Sequence, residues 1–192
     1  DLVLKFNRMK TISFEKKIHA PVEKVWETLW NDDTYREWTK HFMPGSHYES
    51  DWKIGGKTLF LDPDRNGMFA TITKLEEPYE VIFNHLGEML NGIEGKTYGE
   101  GGSFEKYLLS ESDGITTLTV SVDVEDEYEH DMDEGFTNGL EEVKRLAENK
   151  KRHCPKFYVN SKRGFRSSFT IYTEPFMGTT FYSIIDRKLC GF

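Results

Sequence analysis

The sequence predicts an α+β domain in which an antiparallel meander of strands is closed by a long C-terminal helix. Three observations carry this. Ile12, Phe14, Lys16 and Ile18 alternate with Ser13, Glu15, Lys17 and His19, the period-two signature of a strand with one buried face. Leu118, Val120, Val122 and Val124 alternate in the same way with Thr117, Thr119, Ser121 and Asp123, apolar on one side and polar on the other. Phe136, Leu140, Val143 and Leu146 or Ala147 recur instead at helical spacing, which gives a helix one buried face.

Taken in order, the first strand is stopped by Ala20-Pro21. Proline suits a helix start because its φ is fixed and it has no amide hydrogen to lose, and Val22, Val25, Trp26, Leu29 and Trp30 follow at helical spacing. A short acidic segment, NDDTYREWT, comes next. Tyr48 to Trp52 approaches a turn at Ile54-Gly55-Gly56, and Lys57 to Leu61 continues as a strand. The run Asp62-Pro63-Asp64-Arg65-Asn66-Gly67 is a turn before a strand from Met68 to Leu75, and Glu77-Pro78 turns the chain again before Tyr79 to Leu86. Residues 87–102 hold six glycines and are expected to form a loop. Phe104 to Leu109 and Thr116 to Val124 then flank a hairpin turn at Ser112-Asp113-Gly114. Glu125, Asp126, Glu127, Glu129, Asp131, Asp133 and Glu134 crowd the start of the last helix, where negative charge complements the helix dipole, and Lys144, Arg145, Lys150 and Lys151 load its end.

Composition and charge narrow the function. At 37% hydrophobic and 14% aromatic residues the 192-residue chain is globular, and no run approaches the roughly 18 apolar residues of a membrane span. The start shows no basic segment followed by an apolar one, so cytoplasmic residence is the expectation. Residues 151–192 carry eight basic side chains against two acids, so the net −8 of the whole chain leaves −14 on residues 1–150. Such acidity repels phosphate backbones and argues against nucleic acid as a partner of the domain. The basic tail has two readings, attraction to an anionic surface or to the acidic domain itself. Both ends read as foreign to the domain. Met9-Lys10-Thr11 resembles a translation start, residues 1–8 belong to no obvious element, and residues 151–192 lack helical periodicity. The expected division is therefore an extension at 1–8, a domain at 9–150 and a basic extension at 151–192, one or both ends being artefacts of the reading frame. The rival reading gives the tail strands around SSFTIYT and TTFYSII.

Several apparent motifs fail on their mechanics. Gly56-Lys57-Thr58 and Gly95-Lys96-Thr97 imitate the end of a phosphate-binding loop, but the pattern needs glycine where Asp51 and Leu90 stand. The run Glu129 to Gly135 lacks the glycine register and the closing glutamate of a calcium loop. Six histidines show no short metal spacing, no serine sits in a nucleophile elbow, and Cys154 and Cys190 both lie beyond the domain. No cofactor, metal or covalent nucleophile is expected.

The initial strand, the segment HAPVEKVWETL, the acidic NDDTYREWT and the later DWKIGGK resemble the START-related, or SRPBCC, superfamily, and within it the group named for homology to the activator of the heat-shock chaperone ATPase. The similarity covers roughly Met9 to Asn149. It implies a helix-grip fold, a curved antiparallel sheet wrapped around the C-terminal helix with a cavity between them. The residues expected to line that cavity are Trp38, Phe42, Trp52, Phe60, Phe69, Phe83, Phe104, Tyr107, Phe136 and Leu140, with His85, which shares strand parity with Val81 and Phe83. His85 and Tyr107 are its expected polar contributors. The resemblance implies a binder of a small apolar or amphipathic molecule. Alternatives are a co-chaperone partnered with a heat-shock ATPase and a cyclase or aromatase, although no catalytic acid or base stands out.

Overall fold

A computed structural model describes residues 9–98 and 101–149. The readings for residues 1–8 and for the tail, including its two candidate strands, lie outside the described residues. The elements run β1 (Met9–Ile18), α1 (Val22–Trp30), α2 (Asp32–Thr39), β2 (His47–Ser50), β3 (Lys57–Leu61), β4 (Gly67–Glu76), β5 (Glu80–Leu90), β6 (Ile93–Thr97), β7 (Ser103–Ser112), β8 (Ile115–Glu125) and α3 (Glu129–Glu148).

The strands form one curved antiparallel sheet in the order β1-β8-β7-β5-β4-β3-β2, with β6 branching off β5. Chain ends of the domain meet in it, because β1 pairs with β8 from Met9↔Glu125 to Ile18↔Thr116. Alternation sets which face is inner. In β5, Val81, Phe83 and His85 are buried while Glu80, Ile82 and Asn84 are only half-buried, and a register shift before Gly87 turns Met89 to the other face, where it packs with Leu61 and Phe69. β8 repeats this with Thr116, Leu118, Val120, Val122 and Val124. Onto the inner face pack the three helices, and Val25, Leu29, Trp38, Leu140 and Val143 join Ile72, Val81, Tyr107 and Leu118 in one core.

Polar side chains fasten the helices where backbone groups have no intrahelical partner. Pro21 caps α1 with φ −59° and ψ 152° and supplies no side-chain acceptor. That acceptor comes from β7, where Glu111 Oε2 takes the Val22 amide at 2.8 Å. At the other end of α1, Trp38 Nε1 donates to the Leu29 carbonyl at 3.0 Å and the Tyr48 hydroxyl donates to the Trp30 carbonyl. Asn31 caps α2 by accepting the Asp33 amide at 3.2 Å. Across α3, Lys16 pairs with Glu141, and Glu148 Oε1 accepts the His19 amide at 2.9 Å.

Residues 87–102 differ from the expected loop. β5 runs on to Leu90, and β6 folds back on it with Leu90↔Ile93 and Met89↔Glu94 in register. The turn between them is Asn91-Gly92, with φ of 50° and 79°, the left-handed pair that a tight hairpin needs. The 62–67 turn clamps this hairpin. Arg65 O accepts the Gly92 amide at 2.9 Å and Asn66 Oδ1 accepts the Asn91 amide at 3.0 Å. The acidic NDDTYREWT segment is helical over Asp32–Thr39, and the strand expected over Tyr48 to Trp52 is His47–Ser50, ending before Trp52 at φ 51°. No helix among the described residues is long and apolar enough to cross a membrane.

Candidate functional site

Between the inner face of the sheet and the first turns of α3 lies a cavity of about 650 Å³. Its apolar wall includes the flexible side chains of Met68 from β4 and Met132 from α3, which stand with Val122 and Val124 of β8 and with Phe136. A second cavity of about 260 Å³ lies under α2, walled by Trp38, Phe42 and Phe60. Met68, Glu105 and Met132 line both, so the two chambers adjoin at these residues.

Glu105 is the polar centre of this junction. It lies in β7 in phase with Tyr107 and Leu109, whose side chains are 1% and 2% exposed, so its own points to the inner face. Its side chain is 13% exposed, and its carboxylate holds two neighbours. His85 Nε2 lies 2.8 Å from Oε2, and the Tyr107 hydroxyl donates to Oε1. Strand pairing fixes this arrangement, since β5 and β7 match Phe83 to Glu105 and His85 to Ser103. The Phe60 ring lies 5.3 Å from the His85 ring, and His85 Nδ1 is buried without a hydrogen-bond partner. Burial, reinforced by the nearby Glu105 charge, pushes the hydroxyls of Tyr107 and Tyr35 well above the ordinary tyrosine range. Tyr107 therefore remains a donor at neutral pH. The group can orient a polar ligand end by hydrogen bonding, and its carboxylate, imidazole and phenol could hold or relay a proton. Among the described residues no group of three or more His, Cys, Asp or Glu side chains is placed to hold a metal ion.

The residues singled out from the sequence fall into distinct places. His85 and Phe136 line the larger chamber, while Trp38, Phe42 and Phe60 line the smaller. Tyr107 reaches the junction through Glu105. Trp52 and Phe83 belong to the aromatic core beside them, where Trp52 meets Trp30 at 5.2 Å and Phe83 meets Phe60 at 5.2 Å between ring centroids. Leu140 is fully buried in the same core. Phe69 packs in a separate cluster with Leu61 and Met89, and Phe104 takes the opposite strand phase from Glu105, with Lys106 Nζ 5.6 Å from its ring. Sequence reasoning passed over Glu105 and the two methionines, Met68 and Met132. An acid in phase with Tyr107 and Leu109 was the available signal for the first; the methionines offered none beyond apolarity.

A curved antiparallel sheet gripping a terminal helix, with a cavity between them, defines a START-like, or SRPBCC, helix-grip protein. The chain belongs to the family described as activator of Hsp90 ATPase homolog 1-like protein, whose sequence profile matches residues 19–148. Among solved structures it is similar to CalU16 from Micromonospora echinospora, at 16% identity and a TM-score of 0.53 over 74% of this chain and 78% of that one. It is similar also to the AHSA1-like protein from Aeromonas hydrophila, at 20% identity and a TM-score of 0.53 over 72% and 92% of the two chains. A third likeness is to DynU16, described as a protein in the dynemicin biosynthetic locus, at 16% identity and a TM-score of 0.54 over 72% of this chain and 47% of that one. At these identities the likeness is one of fold. No curated protein matches the chain.

Proposed function

We propose that this domain binds a small amphipathic molecule in the paired chambers, with the ligand's apolar body against Met68, Met132 and Phe136 and its polar end at Glu105 and His85. The observation that carries this reading is the cavity itself. About 650 Å³ next to the core is within the range of small-molecule sites, and it combines an apolar wall with a few convergent polar groups. One protein of similar fold, DynU16, is described as lying in the dynemicin biosynthetic locus, which agrees with a small-molecule ligand. The test is a thermal-shift screen of lipid-like and polycyclic aromatic alcohols, amines and acids, with native mass spectrometry of the purified protein. A ligand selective for the folded form at a hundred times its Kd stabilises by about 2.7 kcal/mol, which is several degrees for a domain of this size. A screen without a single shift, together with an empty mass spectrum, would reject the proposal.

The family's description favours a second reading, an interaction with a heat-shock chaperone ATPase. Its check is the ATP turnover of a purified Hsp90 with and without the domain, and an unchanged rate counts against it.

A further inference from the structure

The smaller chamber holds a hydroxyl that the fold leaves unused. Of the donors on its wall, Trp38, Thr39 and Ser46 already give their hydrogens to the backbone carbonyls of Leu29, Tyr35 and Met43, at 3.0, 2.7 and 2.7 Å. Tyr35 does not. It is 5% exposed and its ring packs against Trp38 and Tyr48, with centroids 5.3 and 4.7 Å away, yet its hydroxyl has no hydrogen-bond partner among the described residues. Unlike His85 Nδ1, that oxygen is not sealed in. Glu105 lines the same chamber and lies close enough for its charge to act on the Tyr35 hydroxyl. Its two oxygens each meet one protein group, Oε2 His85 and Oε1 the Tyr107 hydroxyl, and a carboxylate oxygen has room for a second donor. Burial keeps the Tyr35 hydroxyl protonated well above neutral pH, so it acts as a donor. A free donor thus stands beside an acceptor with spare capacity.

We infer that the smaller chamber takes a flat ring carrying a neutral hydroxyl, which accepts from Tyr35 and donates to Glu105 in the same pose. This rests on the reading of the chambers as a ligand site and adds the head group of the ligand. A hydroxyl is one donor and two acceptor lone pairs, the complement of this pair. A ketone or an ether answers only Tyr35, an ammonium answers only Glu105, and a carboxylate sets its charge against Glu105 in a poorly hydrated place. The ring belongs here because Trp38, Phe42 and Phe60 form the wall, and a bicycle of naphthalene size fits within about 260 Å³. A longer body would pass Met68 and Met132, which line both chambers, into the larger one.

Three probes of one ring system separate these cases: 2-naphthol, 2-methoxynaphthalene and naphthalene, measured by equilibrium dialysis against the full chain at neutral pH. 2-Naphthol is expected to bind at least about tenfold more tightly than either of the others, the size of one charge-assisted hydrogen bond in a buried site. Glu105→Gln should bring naphthol and its methyl ether to within about threefold. Tyr35→Phe keeps the ring and breaks no hydrogen bond of the fold, and it should weaken naphthol by about three- to tenfold. Equal binding of naphthol and its ether, or naphthol binding left unweakened by Tyr35→Phe, overturns the hydroxyl assignment and leaves the cavity as a ligand site. Binding of none of the three overturns the assignment too, and the ligand site falls with it only when the broader thermal-shift screen is also empty.

Discussion

The carboxylate of Glu111, near the end of β7, accepts the amide of Val22, the first residue of α1, at 2.8 Å. A strand thus supplies the cap that Pro21 has no side chain to give, and it places negative charge at the positive end of the helix dipole. Glu111→Ala is therefore expected to cost about 1 kcal/mol, in the range of an ordinary cap deletion, and Glu111→Gln less because the amide oxygen still accepts. Urea denaturation of the two variants checks this. Equal stability of Glu111→Ala and the parent would show that water replaces the carboxylate at no cost.

Leu140 on α3 has no exposed surface and lies among Val143, Phe136 and Trp38 in the core. Neighbouring Gly139 leaves little freedom to refill a void, since even a Cβ there would fall 3.0 Å from the Trp38 carbonyl oxygen. Leu140→Ala is expected to destabilise by about 2–5 kcal/mol, the range for a large-to-small change that leaves a cavity. A loss below about 1 kcal/mol, read from chemical denaturation, would mean that α3 is not anchored through this residue.

Gly87 sits where the β5–β6 hairpin crosses the Phe69 ring. A Cβ at this position would lie 2.6 Å from the Lys96 carbonyl oxygen and 2.7 Å from Phe69 Cε1, and the first of these is backbone that moves only with the strand. Gly87→Ala should then cost about 1–3 kcal/mol, as overpacking does, and loosen β6 preferentially. Hydrogen exchange provides the measurement. Loss of protection at β6 amides with β1 and β8 unchanged is the expected pattern, whereas uniform change would place the strain elsewhere.

How much of this was legible in the sequence depended on whether one face of an element meets water. β8 shows it best, because its threonines and aspartate alternate with buried valines and the period is plain. α2 has only eight residues, too few for a helical period, although Asn31 before two aspartates was a readable cap signal. In residues 87–102 glycine content hid a hairpin whose Asn91-Gly92 turn is itself a hairpin mark. Gly87 is there for close approach to Phe69 rather than for chain reversal, and composition does not distinguish the two uses. Aromatic abundance located the core but not the chamber wall. Phe104 and Glu105 are sequence neighbours on opposite phases of one strand, and only parity with Tyr107 tells which of them faces inward.

Tyr107 and Tyr35 give the fold a particular response to alkali. Their side chains are 1% and 5% exposed, and burial, with the Glu105 charge as the next cause, holds both hydroxyls well above the usual value near 10. Once unfolded, the same hydroxyls ionise near 10. Below that pH both states keep their protons and the contribution to stability is complete. Above it the unfolded chain loses protons that the folded one retains, so stability falls with rising pH until the folded hydroxyls ionise too. Tyrosinate absorbance is expected to show at least two of the nine tyrosines unionised until the chain unfolds. Tyr107→Phe should reduce the slope of stability against pH above 10, even though it removes the hydrogen bond to Glu105 and lowers stability at neutral pH. Complete ionisation of all tyrosines near pH 10 in a protein that keeps its native circular dichroism would contradict the burial of this pair beside Glu105.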